Sequence, residues 1–173
     1  MALLERSRII EALTRLDIEL GARGVRAELF LVGGAVMCLA HQARPSTRDI
    51  DGWFTEPQVV RAAAAVVAMD LGLDPDWLND AAKGFVPAGA SFELWHAFEN
   101  LSVSVADART LLAMKAAAAR SEVDRADIRF LASHLGLRGA DEVLAVVAAY
   151  FPEERLPVRT RLMLEEMFDD DGA

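Results

Sequence analysis

One short stretch constrains this chain more than any other. Glu28-Leu29-Phe30-Leu31-Val32 is an apolar run of strand length that stops at Gly33-Gly34, and fourteen residues separate Gly34 from Asp49-Ile50-Asp51. An apolar run of this length bounded by glycine reads as a buried strand. Ala35 to Gln42 has helical composition and is closed by Pro45, and Arg48 to Phe54 alternates as a second strand. Strand, tight turn, helix and strand in that order call for a sheet with helices laid on it. Side chains alternate in face along a strand, so Asp49 and Asp51 point the same way and Ile50 packs behind them.

Two carboxylates held about 7 Å apart by the strand rise repel each other unless a cation or a proton intervenes. A hard divalent cation with oxygen ligands, Mg²⁺ or Mn²⁺, is the natural partner, and Mg²⁺ so held also engages substrate phosphates. Glycine at a strand-to-helix turn lets the backbone approach a ligand and exposes the free N–H groups of the next helix, which favour phosphate. Taken singly, a Gly-Gly pair is most often a turn and an Asp-x-Asp pair most often a solvated face. In conjunction they make a metal clamp and a phosphate cradle joined by one helix, the equipment of phosphoryl or nucleotidyl transfer.

The remaining chain supports one α/β (α+β) core. Residues 2–20 have helical spacing, with Gly21 and Gly24 stopping the helix. Thr55 is expected to cap a helix that has Pro57 in its first turn and runs to about Leu71. Residues 72–90 are irregular, and Ser91–Phe98 and Asn100–Ala106 read as strands. Asp107 caps a helix reaching about Arg120; Asp124–Leu135, Asp141–Tyr150 and Arg159–Phe168 are helical. The expected division is a small mixed sheet flanked by helices over 1–106, a helical region over 107–168 packed on it, and an acidic tail over 169–173.

Composition narrows the function. Twenty-seven acidic against 18 basic side chains leave a net charge of −9, which gives no bulk attraction to nucleic acid or anionic membrane. RNA binding would need a local strip such as Arg23, Arg26, Arg44, Arg48 and Arg61. The single Cys38 excludes an intrachain disulfide framework and a cysteine-built zinc site. Charges near the N-terminus and the lack of a long apolar run predict a cytoplasmic protein with no membrane partner.

The sequence resembles the nucleotidyltransferase superfamily built on the DNA-polymerase-β-like fold. Its hydrophobic strand, Gly-Gly, helix and Asp-hydrophobic-Asp are matched by Gly33, Gly34, Asp49, Ile50 and Asp51. Gly33-Gly34-Ala35-Val36 and Arg44-Pro45-Ser46-Thr47-Arg48-Asp49 are similar to small bacterial families, among them the AbiEii-type nucleotidyltransferase toxins and an uncharacterised group that Trp77-Leu78-Asn79-Asp80 also resembles. The resemblance implies transfer of an NMP from an NTP to an acceptor hydroxyl. Asp49 and Asp51 would be metal ligands, with Gly33, Gly34, Thr47 and Arg48 around the nucleotide. The acceptor would be tRNA or a protein in a toxin–antitoxin pair, or a small molecule such as an antibiotic. A degenerate, nucleotide-binding regulatory module is the alternative.

Residues 110–120 read as a helix apolar all round except at Lys115, the pattern of a buried helix. A buried ammonium needs an anion, unless its stem carries it to solvent. Toxin-type nucleotidyltransferases have Leu-Leu-x-x-Lys followed by an arginine and an acidic pair, similar to Leu111-Leu112-Ala113-Met114-Lys115, Arg120, Asp124 and Asp127. The resemblance implies nucleotide contacts for Lys115 and Asp124, and a catalytic part for Lys115. Read without it, Asp127 is an ordinary helix-surface charge. The superfamily often carries a third acid on a later strand, for which Glu93 and Glu99 are the candidates. Trp77 is a packing residue or a platform for a base.

Overall fold

The computed structural model describes residues 3–118, 122–152 and 156–169. It is a mixed α/β protein, and its residues separate into two compact units, Met1–Gly84 with Phe92–Ala106, and Phe85–Ser91 with Asp107–Ala173.

The first unit is built on a five-stranded mixed sheet. Its strands are β2 (Ala27–Val32), β4 (Ile50–Phe54), β5 (Leu78–Asn79), β6 (Phe92–Ala97) and β7 (Leu101–Ala106), in the order β5-β4-β2-β7-β6. Strand β2 pairs antiparallel with β4 and parallel with β7. Residues opposite each other in a ladder share a face. Leu29 and Leu31 of β2, Phe54 of β4, and Val103 and Val105 of β7 therefore form one buried face, and Phe30, Asp51, Trp53, Ser102 and Ser104 lie on the other. Helix α1 (Arg6–Ala22) contacts β7 and packs on α3 (Pro57–Leu71), each burying a stripe of aliphatic side chains.

Short helix α2 (Gly33–Leu39) follows β2 directly and buries Ala35 through Leu39. A separate two-stranded sheet pairs β1 (Leu4–Glu5) with β3 (Ser46–Thr47), opposing Leu4 to Thr47. Helical spacing from residue 2 hides this strand, because two extended residues carry no period of their own. The expected cap at Thr55 is also corrected. The α3 N-cap is Glu56 in a left-handed conformation, while Thr55 Oγ1 accepts a hydrogen bond from the Glu28 N–H at 2.9 Å. The threonine serves the sheet instead of the helix.

The second unit is helical, with α4 (Ala108–Ala118), α5 (Glu122–His134), α6 (Ala140–Ala148) and α7 (Val158–Asp169). Asp107 caps α4 as its position suggests, accepting from the Thr110 N–H at 2.7 Å. Gly136, at φ 72°, ends α5. Leu111, Leu112, Ile128, Leu131, Val143, Val147 and Leu164 are fully buried from all four helices. Arg120 and the tail at 170–173 lie outside the described residues. No helix among the described residues is long and apolar enough to cross a membrane.

Candidate functional site

The glycines and aspartates of the sequence motif meet at one corner of the first unit. Gly33 adopts φ 68°, a conformation that favours glycine, as the chain leaves β2. A Cβ at Gly33 would lie 3.2 Å from Asp51 Oδ2, so the bare Cα is what lets the turn approach the carboxylate. Register agrees, because Asp51 is opposite Val32, the residue before the turn. A Cβ at Gly34 would overlap Thr47 Oγ1 and come within 3.1 Å of Arg44 Nη1. Arg44 is itself steadied by an Nε bond to the Ser46 carbonyl at 3.1 Å, and Thr47 is buried in the β1–β3 pairing. Gly33, Gly34, Thr47, Asp51 and Arg44 are thus neighbours.

Asp49 precedes β4 instead of lying within it, but it stays beside Asp51. Burial and the neighbouring Asp51 charge push the Asp49 carboxyl above its ordinary range, against a smaller downward pull from Arg48, the backbone and Asn79. The Asn79 Nδ2 donates to Asp49 Oδ2 at 3.5 Å, and Asn79 is the register partner of Asp51 on β5. The site is therefore a half-buried pair of mutually repelling carboxylates beside a glycine turn. That donor set, two hard oxygens' worth of acid with raised charging cost, fits two of the ligand positions of a Mg²⁺ or Mn²⁺ ion. Among the described residues no group of three His, Cys, Asp or Glu side chains could hold a metal.

The candidates for a third acid are placed elsewhere. Glu93 opposes Val105, and Val105 opposes Leu31, so Glu93 lies on the sheet face opposite to Asp51. Glu99 lies in the β6–β7 turn beside Leu101, which pairs with the start of β2, while Asp51 pairs with its end. The length of β2, about 17 Å, separates those ends. On the face of Asp51, β7 supplies Ser102, Ser104 and Ala106. Sequence spacing cannot show which face an acid takes, since a single register shift reverses it.

Lys115 and Asp124 belong to the second unit and meet there. Lys115 is 8% exposed; its Nζ lies 2.6 Å from Asp127 Oδ2 and 3.4 Å from Asp124 Oδ1. The lysine therefore does not reach solvent along its stem. Asp127, only 4% exposed, is no surface charge but the principal counter-ion of a buried lysine. Trp77 is 1% exposed and donates from Nε1 to the Ala64 carbonyl at 3.0 Å, so it is a core residue and offers no face to a base. Of the proposed arginine strip, Arg23 pairs with Glu19 and Arg61 with Asp80. Arg26 directly precedes β2, and Arg44 Nη1 lies beside Gly34 at its other end.

Asn79 is the site residue that motif reading passed over as a role, although its segment was singled out. An amide two residues past a tryptophan has no chemical signature of its own, and only strand pairing places it beside Asp49. No protein-family model, curated protein or solved structure matches the chain.

Proposed function

We propose that this protein is a metal-dependent nucleotidyltransferase that moves an NMP from an NTP to an acceptor hydroxyl. The observation that carries the reading is the close approach of the Gly33 backbone to Asp51, with Asp49 electrostatically coupled to the same carboxylate. Asp49 and Asp51 would hold Mg²⁺ or Mn²⁺, which when bound neutralises phosphate charge and orients the triphosphate. Gly33, lacking a Cβ, lets the turn lie close against Asp51, and Gly34 leaves room for Thr47 Oγ1 and Arg44 Nη1 beside it. Thr47 supplies a hydroxyl there, and Arg44 and Arg48 supply positive charge. Most of the rate gain would come from positioning and charge stabilisation.

A catalytically silent nucleotide-binding module is the second reading. It is favoured by the face of β7, which offers serine and alanine where a third acid would complete the site.

Calorimetric titration of the full chain with each NTP in Mg²⁺ tests both. Binding is expected, and its loss in a folded Asp49→Asn, Asp51→Asn variant would assign it to the carboxylate pair. Incubation with α-labelled NTP and tRNA, candidate partner proteins including an antitoxin, or antibiotics then identifies the acceptor by the label it gains. Binding without label on any acceptor selects the module; absence of Mg²⁺-dependent binding overturns both readings.

A further inference from the structure

We propose that Asn79 is a positioning residue for Asp49 and that its neutral amide occupies the third side-chain place of the carboxylate site, which limits that site to one divalent cation. This rests on the metal-binding reading of Asp49 and Asp51. The two ends of the Asn79 amide have different partners. Its Oδ1 accepts the Ala81 N–H at 3.1 Å, which turns the Nδ2 end toward Asp49 Oδ2 at 3.5 Å. A carbonyl end cannot donate, so the Ala81 bond fixes which end faces the acid. Strand pairing sets Asn79 opposite Asp51, on the same face as that carboxylate. Asn79 is thus tied to both acids, by a bond to one and by register to the other.

The consequence is electrostatic and geometric. A carboxylate with one oxygen held by a fixed amide is restricted in rotation and meets an incoming cation already oriented. The 3.5 Å separation is at the long end of hydrogen bonding, as such bonds often are before ligand binding tightens them. An acid at this place would add a third negative charge to a pair that already repels. The amide adds no charge, and among the described residues no third His, Cys, Asp or Glu joins the two carboxylates to hold a metal.

Asn79→Ser separates the two bonds. Its short hydroxyl still accepts the N–H two residues on, preserving the local turn, but cannot span the distance to Asp49. Mn²⁺ titration of the full chain, followed by the electron paramagnetic resonance of free Mn²⁺, should give one ion per wild-type chain and about tenfold weaker binding in Asn79→Ser. The Tm of the metal-free variant should match that of wild type, which separates positioning from folding. Asn79→Ala carries the same expectation for Mn²⁺ if the serine variant does not fold. Wild-type binding with either folded variant within twofold of it overturns the positioning role alone, and two ions per wild-type chain overturns the one-ion limit. Failure of wild type to bind Mn²⁺ overturns this proposal together with the metal reading beneath it.

Discussion

The corner holding Asp49 and Asp51 and the helix holding Lys115 both put ionisable groups into partly or wholly buried surroundings, and they do so in opposite ways. At the corner, acid faces acid. Burial and Asp51 raise the cost of charging Asp49 by more than Arg48 and Asn79 lower it. In the helical unit, one ammonium faces two carboxylates, one of them at 2.6 Å and as buried as the lysine. A group of the second kind has its counter-charge built in and serves the packing of α4 on α5. A group of the first kind lowers its free energy by acquiring a cation from outside. A carboxyl that the fold makes harder to charge, as at Asp49, is therefore the better pointer to a binding site, even though the lysine is the more conspicuous residue in the sequence.

The contrast breaks most sharply at Lys115. Lys115→Met leaves Asp127 buried without its cation and should cost about 3–5 kcal/mol in urea unfolding. Replacing both partners, as Lys115→Met with Asp127→Leu, should recover most of that loss, because the desolvated charges go together. A single-variant cost below about 1 kcal/mol would mean that the pair is not the structural element described. A smaller effect is expected at the corner from Gly34→Ala. Thr47 is buried and β-branched, so it cannot easily swing away from the added methyl, and overpacking of this kind costs about 1–3 kcal/mol. The gain in helix propensity offsets part of it. Thermal unfolding gives the cost, and loss of NTP binding at a temperature where the variant is folded would show that the corner itself was filled.

The parts of this structure that were legible in the sequence are those written in local pattern. The β2 run ends where Gly33-Gly34 says it must, the α4 cap falls on Asp107, and the two aspartates stay neighbours although Asp49 sits just outside β4. The parts that were not legible depend on who pairs with whom. Glu93 is a plausible third acid until the β6–β7 register turns it to the other face. Thr55 has the chemistry of a helix cap, yet the Glu28 N–H is the donor it meets, 27 residues away. Leu4-Glu5 has no strand signal until Ser46-Thr47 lies beside it, and that pairing is what holds Thr47 against Gly34. Asp127 reads as one more charge on a polar helix until α5 turns it inward to Lys115. In each case the deciding partner is distant in sequence, beyond the reach of periodicity.

The smallest expected effect sharpens the comparison because its sign is unusual. A carboxyl whose folded pKa is raised holds its proton more firmly in the folded state than in the unfolded one. Stability then falls as pH rises from the ordinary aspartate pKa, about 3.9, through the folded value, and stays at the lower level above it. Asp49→Asn has no such titration, and its amide oxygen can still accept from Asn79. Without metal the variant should match wild type at low pH and exceed it at pH 7. The gain should be less than about 1 kcal/mol, since the site is half open to water. Adding Mg²⁺ reverses the order: wild type should gain on the order of 1 kcal/mol at about ten times its dissociation constant, and the variant should gain little. Chemical denaturation at pH 4 and pH 7, with and without Mg²⁺, reads all four values. A variant less stable than wild type at pH 7 without metal would show that the Asp49 charge is already satisfied by the fold, as that of Lys115 is, and the distinction between the two regions would disappear.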